Sequence, residues 1–159
     1  MPCKLRIVAV VLAAGLSRRM GEKNKLLLKV DGRSLVKRVV DAFFEAGFSK
    51  VVVVTGHESE RIERELAGAG VDFAHNPDFA VGMGGSIARG VATVDSSEWD
   101  GFAVCPGDLP WLDPIELGLL AEAFAAEKSS IAVAPDYGGR RGHPVLFSME
   151  SIGAMSGLK

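Results

Sequence analysis

The chain has 159 residues, 48% of them hydrophobic, with a positive mean hydropathy. That is enough apolar material for one full core, and it excludes a disordered chain. Eighteen basic and 20 acidic residues leave a net charge of −2, so no broad positive field exists to hold nucleic acid. The longest apolar runs cover about half a bilayer span and are rich in β-branched residues, which reads as buried strands and not as membrane helices.

The N-terminus runs straight into apolar sequence without a signal-peptide pattern. The two cysteines, Cys3 and Cys105, cannot build a disulfide framework, and Cys105 sits in an apolar run as a small core residue. A cytoplasmic protein is expected.

Residues Arg6–Leu12 form an apolar, β-branched run and are expected to be a buried strand. Leu35, Val36, Val39, Val40, Phe43 and Phe44 recur at helical spacing, and Gly47 closes that helix. Lys50–Thr55 reads as a second buried strand, Glu58–Leu66 as an exposed, highly charged helix, and Val71–Ala74 as a short strand. Ser86–Thr93 reads as a helix entered through Gly84 and Gly85, with Ser86 as its cap. Gly101–Cys105 is a further strand. A helix begins at Asp113 or Pro114 and runs to about Phe124, proline being well tolerated in a first turn. Ile131–Ala134 is a strand, Gly138, Gly139 and Gly142 make a turn, and Pro144–Phe147 is extended.

The alternation of strands and helices predicts an α/β, Rossmann-like single domain, an open and mostly parallel sheet with helices on both faces. Ligands of such sheets bind at the carboxyl ends of the strands. Three suggestive segments fall there: the loop after Leu12, Thr55-Gly56-His57, and Pro106-Gly107-Asp108.

The loop after Leu12 is the most informative. Ala13, Ala14 and Gly15 leave room for a ligand against the backbone, and Arg18, Arg19, Lys23 and Lys25 follow within a short stretch. Exposed backbone N–H groups beside clustered cations make a phosphate-binding arrangement. Neither the P-loop pattern nor Gly-x-Gly-x-x-Gly is present. Asp108, just past a buried strand and held between Pro106-Gly107 and Pro110, is placed to hold Mg²⁺, which takes one or two carboxylates and shares substrate phosphates. A glycine-rich segment, Gly82-Met83-Gly84-Gly85-Ser86, follows Asn76-Pro77. Arg140-Arg141-Gly142-His143-Pro144 offers cations to an anionic second substrate. His57, His75 and His143 lack zinc-ligand spacing, and the first two read as surface residues.

The order small–small–Gly-x-Ser-x-Arg-Met-Gly, then Lys, resembles the signature loop of nucleotidyltransferases with a glycosyltransferase-A-type fold. Within that group it most resembles the molybdenum cofactor nucleotidyltransferases, over nearly the whole chain to about residue 148. The resemblance implies that Arg19 grips the triphosphate, that Lys25 lies near the α-phosphate, and that Asp108 binds the catalytic Mg²⁺ or Mn²⁺. It gathers Leu12, Ala13, Ala14, Gly15, Thr55, Asn76, Gly84, Ser86 and His143 around the nucleotide, with Ser86 at the base or ribose. Arg18 falls at a variable position and reads as solvated. Ala13-Ala14-Gly15 is similar to the cytidylyl branch, whereas the guanylyl branch carries Ala-Gly-Gly. The expected reaction is transfer of CMP from CTP to the terminal phosphate of molybdopterin or its molybdenum form, with passing contact with a molybdenum enzyme. Transfer of GMP to the same cofactor, transfer to a sugar phosphate, and a non-catalytic escort protein are the alternatives. The family runs further than this chain, through a segment that often carries a second acidic residue. Residues 1–159 are therefore expected to be one nucleotidyltransferase domain lacking its C-terminal end.

Overall fold

The computed structural model describes residues 5–21, 23–127 and 130–159; Cys3 and Glu22 lie outside them. The elements in chain order are β1 (Ile7–Ala13), β2 (Lys29–Val30), β3 (Arg33–Ser34), α1 (Leu35–Glu45), β4 (Lys50–Thr55), α2 (Ser59–Glu65), β5 (Asp72–His75), α3 (Met83–Val91), β6 (Gly101–Pro106), α4 (Pro114–Ala126), β7 (Ala132–Val133), β8 (Asp136–Tyr137), β9 (Arg140–Arg141), β10 (Val145–Ser148) and α5 (Ile152–Ser156). Short 3₁₀ turns occupy Arg18–Met20, Lys25–Leu27 and Met149–Ser151.

Six strands form the central sheet in the order β5-β4-β1-β6-β10-β7. The first four run parallel, while β10 is antiparallel to both β6 and β7. The mostly parallel α/β architecture expected from the sequence is the one observed. Alternation along β1 divides the core into two layers. Ile7, Ala9, Val11 and Ala13 face the layer that holds Val36, Val39, Val40 and Phe43 of α1 and Leu117 and Phe124 of α4. Val8 and Val10 face the layer that holds Val91 of α3. Each fully buried Val, Leu, Ile or Phe contributes about 1.5–3 kcal/mol.

Local chemistry sets the helix ends. The Ser34 hydroxyl accepts the Lys37 N–H at 3.3 Å, and the Asp113 carboxylate accepts the Ile115 N–H at 2.8 Å, with Pro114 in the first turn of α4.

Several boundaries differ from the sequence reading. Helix α3 starts at Met83, so Gly84 and Gly85 lie inside it; its cap is Gly82, and Ser86 faces inward without capping. Burial against the sheet outweighs the poor helix propensity of the glycines. Helix α2 is charged outside but fixes Ile62 in the core, with Leu66 just beyond its end. Strand β7 has two residues, where four were expected. The sequence reading missed the β2–β3 ribbon, although Asp31 and Gly32 both adopt positive φ at its tip, as an Asp-Gly turn does.

Gly90 shows how tightly α3 sits on the sheet. A Cβ there would fall 2.5 Å from Val10 Cγ1 and 2.6 Å from Val54 Cγ2. Gly90→Ala gains helix propensity but overpacks this contact. It is expected to lower unfolding stability by about 1–3 kcal/mol, measured as a reduced denaturation midpoint.

Candidate active site

The carboxyl ends of β1, β4, β5 and β6 bring the candidate segments to one edge of the sheet. Backbone bonds fasten them together. The Gly107 N–H donates to the Leu12 carbonyl at 2.9 Å, the His57 N–H to the Ala14 carbonyl at 3.3 Å, and the Asn76 N–H to the Thr55 carbonyl at 2.7 Å.

Between these ends lies a cleft of about 510 Å³. Leu12, Ala14, Gly15, Lys25, Ser86 and Asp108 line it, as does Arg18. Two anchors aim Lys25. Its N–H donates to the Ser17 hydroxyl at 3.2 Å, and the next residue, Leu26, is buried in the core. Asn24 caps this turn by accepting the Leu26 N–H at 3.1 Å. The Lys25 Nζ then meets Asp108 Oδ2 at 2.8 Å, across 83 residues of sequence. Both side chains remain about a third to a half exposed, so the pair adds little to stability. Its importance is that a cation and a carboxylate stand together at the mouth of a cleft.

The other predicted residues lie around this cleft without lining it. Ala13 and Thr55 are fully buried. The Thr55 hydroxyl turns toward α2 and donates to Glu63 Oε1 at 3.2 Å. Asn76 is a brace: its Nδ2 donates to Ser86 Oγ at 2.9 Å, and its Oδ1 accepts the Asp78 N–H at 3.1 Å. Arg19 is exposed in the same 3₁₀ turn as Arg18 but is not among the lining residues, and neither is Gly84. Thus Arg18, read from sequence as solvated, is exposed yet faces the cleft. His143 is exposed at the foot of the β8–β9 hairpin. Strand β10 pairs antiparallel with β6 through Val145 opposite Val104, so this hairpin springs from the same sheet edge as Asp108. His75 is exposed, whereas His57 is half-buried against Phe79, with ring centroids 5.8 Å apart.

Sequence reasoning missed the apolar wall. Leu16, Phe79, Val81 and Met83 line the cleft, and Val81 and Met83 are largely exposed. Such residues beside glycines were the available signal. Phe79 reaches its place because Gly56 has no side chain. A Cβ on Gly56 would lie 2.6 Å from Phe79 Cβ and 2.9 Å from the Ala14 methyl. The Ala14 methyl at the cleft wall is therefore nearly buried, close to Gly56.

Cys105 is a free, buried thiol one strand residue before Pro106. Burial pushes it well above its ordinary range, and the Asp108 charge adds to this, so it is a core residue and not a nucleophile. Among the described residues no group of three or more His, Cys, Asp or Glu side chains could cage a metal ion. Asp108 alone fits a hard cation that completes its shell with phosphate oxygens. Among the described residues no helix is long and apolar enough to cross a membrane.

The chain is similar in sequence and fold to known proteins. Over 132 residues the chain is 33% identical to the bifunctional protein GlmU of Caldanaerobacter subterraneus subsp. tengcongensis, covering 80% of this chain and 27% of that protein. Rv0371c of Mycobacterium tuberculosis H37Rv superposes with a TM-score of 0.86 at 26% identity, covering 98% of this chain and 78% of that one. A second structure of Rv0371c is a complex with manganese, at a TM-score of 0.81 and 25% identity, covering 96% and 76%. A nucleotidyl transferase from Methanothermobacter thermautotroptrophicus superposes with a TM-score of 0.75 at 27% identity, covering 94% and 74%. The sequence profile of the MobA-like NTP transferase domain matches residues 9–159, and the chain belongs to that family.

Proposed function

We propose that the protein is a nucleotidyltransferase that moves CMP from CTP to the terminal phosphate of molybdopterin or its molybdenum form. The observation that carries the transfer chemistry is Lys25 Nζ at 2.8 Å from Asp108 Oδ2 at the mouth of a cleft of about 510 Å³, a volume suited to a small-molecule substrate. In this reading a phosphate oxygen of the acceptor attacks the α-phosphorus, and the bond to the β-phosphate bridge breaks. Pyrophosphate leaves, and no enzyme intermediate forms. Such chemistry asks the protein for positioning and charge neutralisation.

The residues divide the work by charge and place. Lys25, a compact cation on an anchored turn, neutralises the α-phosphate, and Arg18 and Arg19 attend the rest of the triphosphate. Asp108 holds Mg²⁺ or Mn²⁺, whose chemistry when bound is to neutralise the phosphate oxygens. Phe79, Ala14 and Ser86 border the nucleoside. Arg140, Arg141 and His143, on the Asp108 side of the sheet, take the anionic acceptor. The Ala13-Ala14-Gly15 sequence supports CTP. Likeness to GlmU proteins favours a second reading, transfer to a sugar phosphate. The deciding assay measures pyrophosphate release for CTP, GTP, ATP and UTP, each paired with molybdopterin and with sugar phosphates. No release with any pair overturns the reading.

Lys25→Ala is expected to lower turnover roughly 10²–10³-fold while leaving the melting temperature near wild type, because it removes a stabiliser of transition-state charge from a half-exposed position. Steady-state kinetics and a thermal melt on the same sample check both halves.

Asp108→Asn keeps the side-chain size and loses the charge that a hard cation needs. Turnover that depends on Mg²⁺ is expected to vanish, and a Mg²⁺ titration of activity is the measurement.

Ala14→Gly removes the methyl that supports Phe79. The ring gains room to move toward Gly56, and the cleft widens for a purine. The ratio of kcat/KM for CTP over GTP is expected to fall about tenfold or more, the scale of one carbon in a pocket. An unchanged ratio removes the basis for CTP and leaves nucleotidyl transfer standing.

A further inference from the structure

The turn after β4 carries a residue whose placement the chemistry above does not use. Glu58 is not glycine, yet it adopts a left-handed backbone, φ 51° and ψ 37°. Such a conformation persists only where the surroundings over-determine it. Its Oε1 takes a charged bond from Arg61. Its other oxygen, Oε2, is buried without a hydrogen-bond partner, with His57 Nε2 3.7 Å away.

The amide of Asn24 neighbours this carboxyl. This residue is 4% exposed, and its Oδ1 is committed to capping the turn that begins with Lys25. Its Nδ2 is likewise buried without a partner. A buried donor and a buried acceptor thus lie near one another, and neither has a hydrogen-bond partner. The Glu58 carboxyl is held below its ordinary range by the Arg61 hydrogen bond first; the Asn24 amide and the charges of Arg61 and His57 act in the same direction, while burial opposes them. Each buried group is left without a bond to offset its desolvation.

The location gives this pair its meaning. The loop after β1 begins at Ala14, and buried Asn24 caps the turn that carries Lys25. The turn at residues 56–58 meets both: the His57 N–H holds the Ala14 carbonyl at 3.3 Å, and Glu58 neighbours Asn24. Lys25 sits between buried Asn24 and buried Leu26.

We infer that Asn24 and Glu58 are positioning residues, a strut between the β4–α2 turn and the phosphate loop that fixes the aim of Lys25 for nucleotidyl transfer. This rests on the function proposed above. The strut acts through Lys25 and touches no substrate.

Three variants test it: Asn24→Asp, Glu58→Gly, and the double change Asn24→Asp with Glu58→Gln. Asp at 24 keeps the capping oxygen but sets a second carboxylate against Glu58. Gly at 58 accepts the left-handed backbone and removes the whole side chain, its contact with Arg61 included. The double change exchanges donor and acceptor. For Asn24→Asp the expected result is a loss of up to roughly 10²-fold in kcat for pyrophosphate release with CTP and Mg²⁺, the cost of about 1 Å of misplacement, with KM changed less. Glu58→Gly should lose kcat without a lower melting temperature, and the double variant should recover most of the loss. Wild-type kcat in Asn24→Asp or Glu58→Gly overturns the strut, as does a double variant no faster than Asn24→Asp. If wild type turns over no nucleotide with any acceptor, the proposed function fails separately. The affinity of the same proteins for inorganic triphosphate with Mg²⁺ then decides: weakened by Asn24→Asp and restored by the double change upholds the strut, and equal affinity throughout overturns it.

Discussion

Two opposite charges held half in water at the carboxyl edge of the sheet, Lys25 and Asp108, order most of what surrounds them. The ion pair itself is worth little to folding, so the protein does not keep it for stability. Reaching it requires that the loop after β1 fold back and present Lys25 to the end of β6. Adjacency of β1 and β6 supplies the first requirement, through six paired positions that end at Leu12 opposite Pro106. The bond from the Gly107 N–H to the Leu12 carbonyl carries the pairing one step beyond the strands. Leu26, driven into the core, supplies the second. Lys25 is thus held between buried Asn24 and Leu26, and Asp108 between buried Gly107 and partly buried Leu109.

The strands were legible because buried parallel strands read as continuous β-branched runs, and Lys50–Thr55 is found with its expected bounds. The loop composition, small residues followed by cations, pointed to the cleft for the same reason that it makes one. What sequence did not give was the direction of side chains at strand ends. Leu12 and Ala14 line the cleft while Ala13 between them is sealed beneath it, and Thr55 at the end of β4 turns to Glu63. A strand alternates faces with period two, but nothing in one sequence says which face the last residue takes. Asn24 was invisible for another reason: its importance comes from burial and from Glu58, which stands 34 residues along the chain and shares no local pattern with it.

The apolar wall shows a related limit. Phe79 and Val81 lie in a turn with no helical or strand period, Met83 only opens α3, and exposed apolar residues are common on any surface. Gly56 makes room for one part of that wall, because a side chain there would collide with Phe79 and with the Ala14 methyl. The surroundings of Ala14 are therefore set by residues drawn from three loops.

The two margins of the sheet bear on how the protein behaves in a crowded solution. An open sheet offers unpaired backbone at each side, a template on which another chain can add a strand. Here β7 ends one side with two residues, too short a stretch to hold a newcomer. On the other side β5 has four residues, and Asp72 and His75 stand exposed along it, Asp72 paired with Lys50 at 3.1 Å. Any strand docking there would have to accommodate that charge. The sheet is thereby guarded against edge-to-edge aggregation on both sides, by shortness at one and by charge at the other.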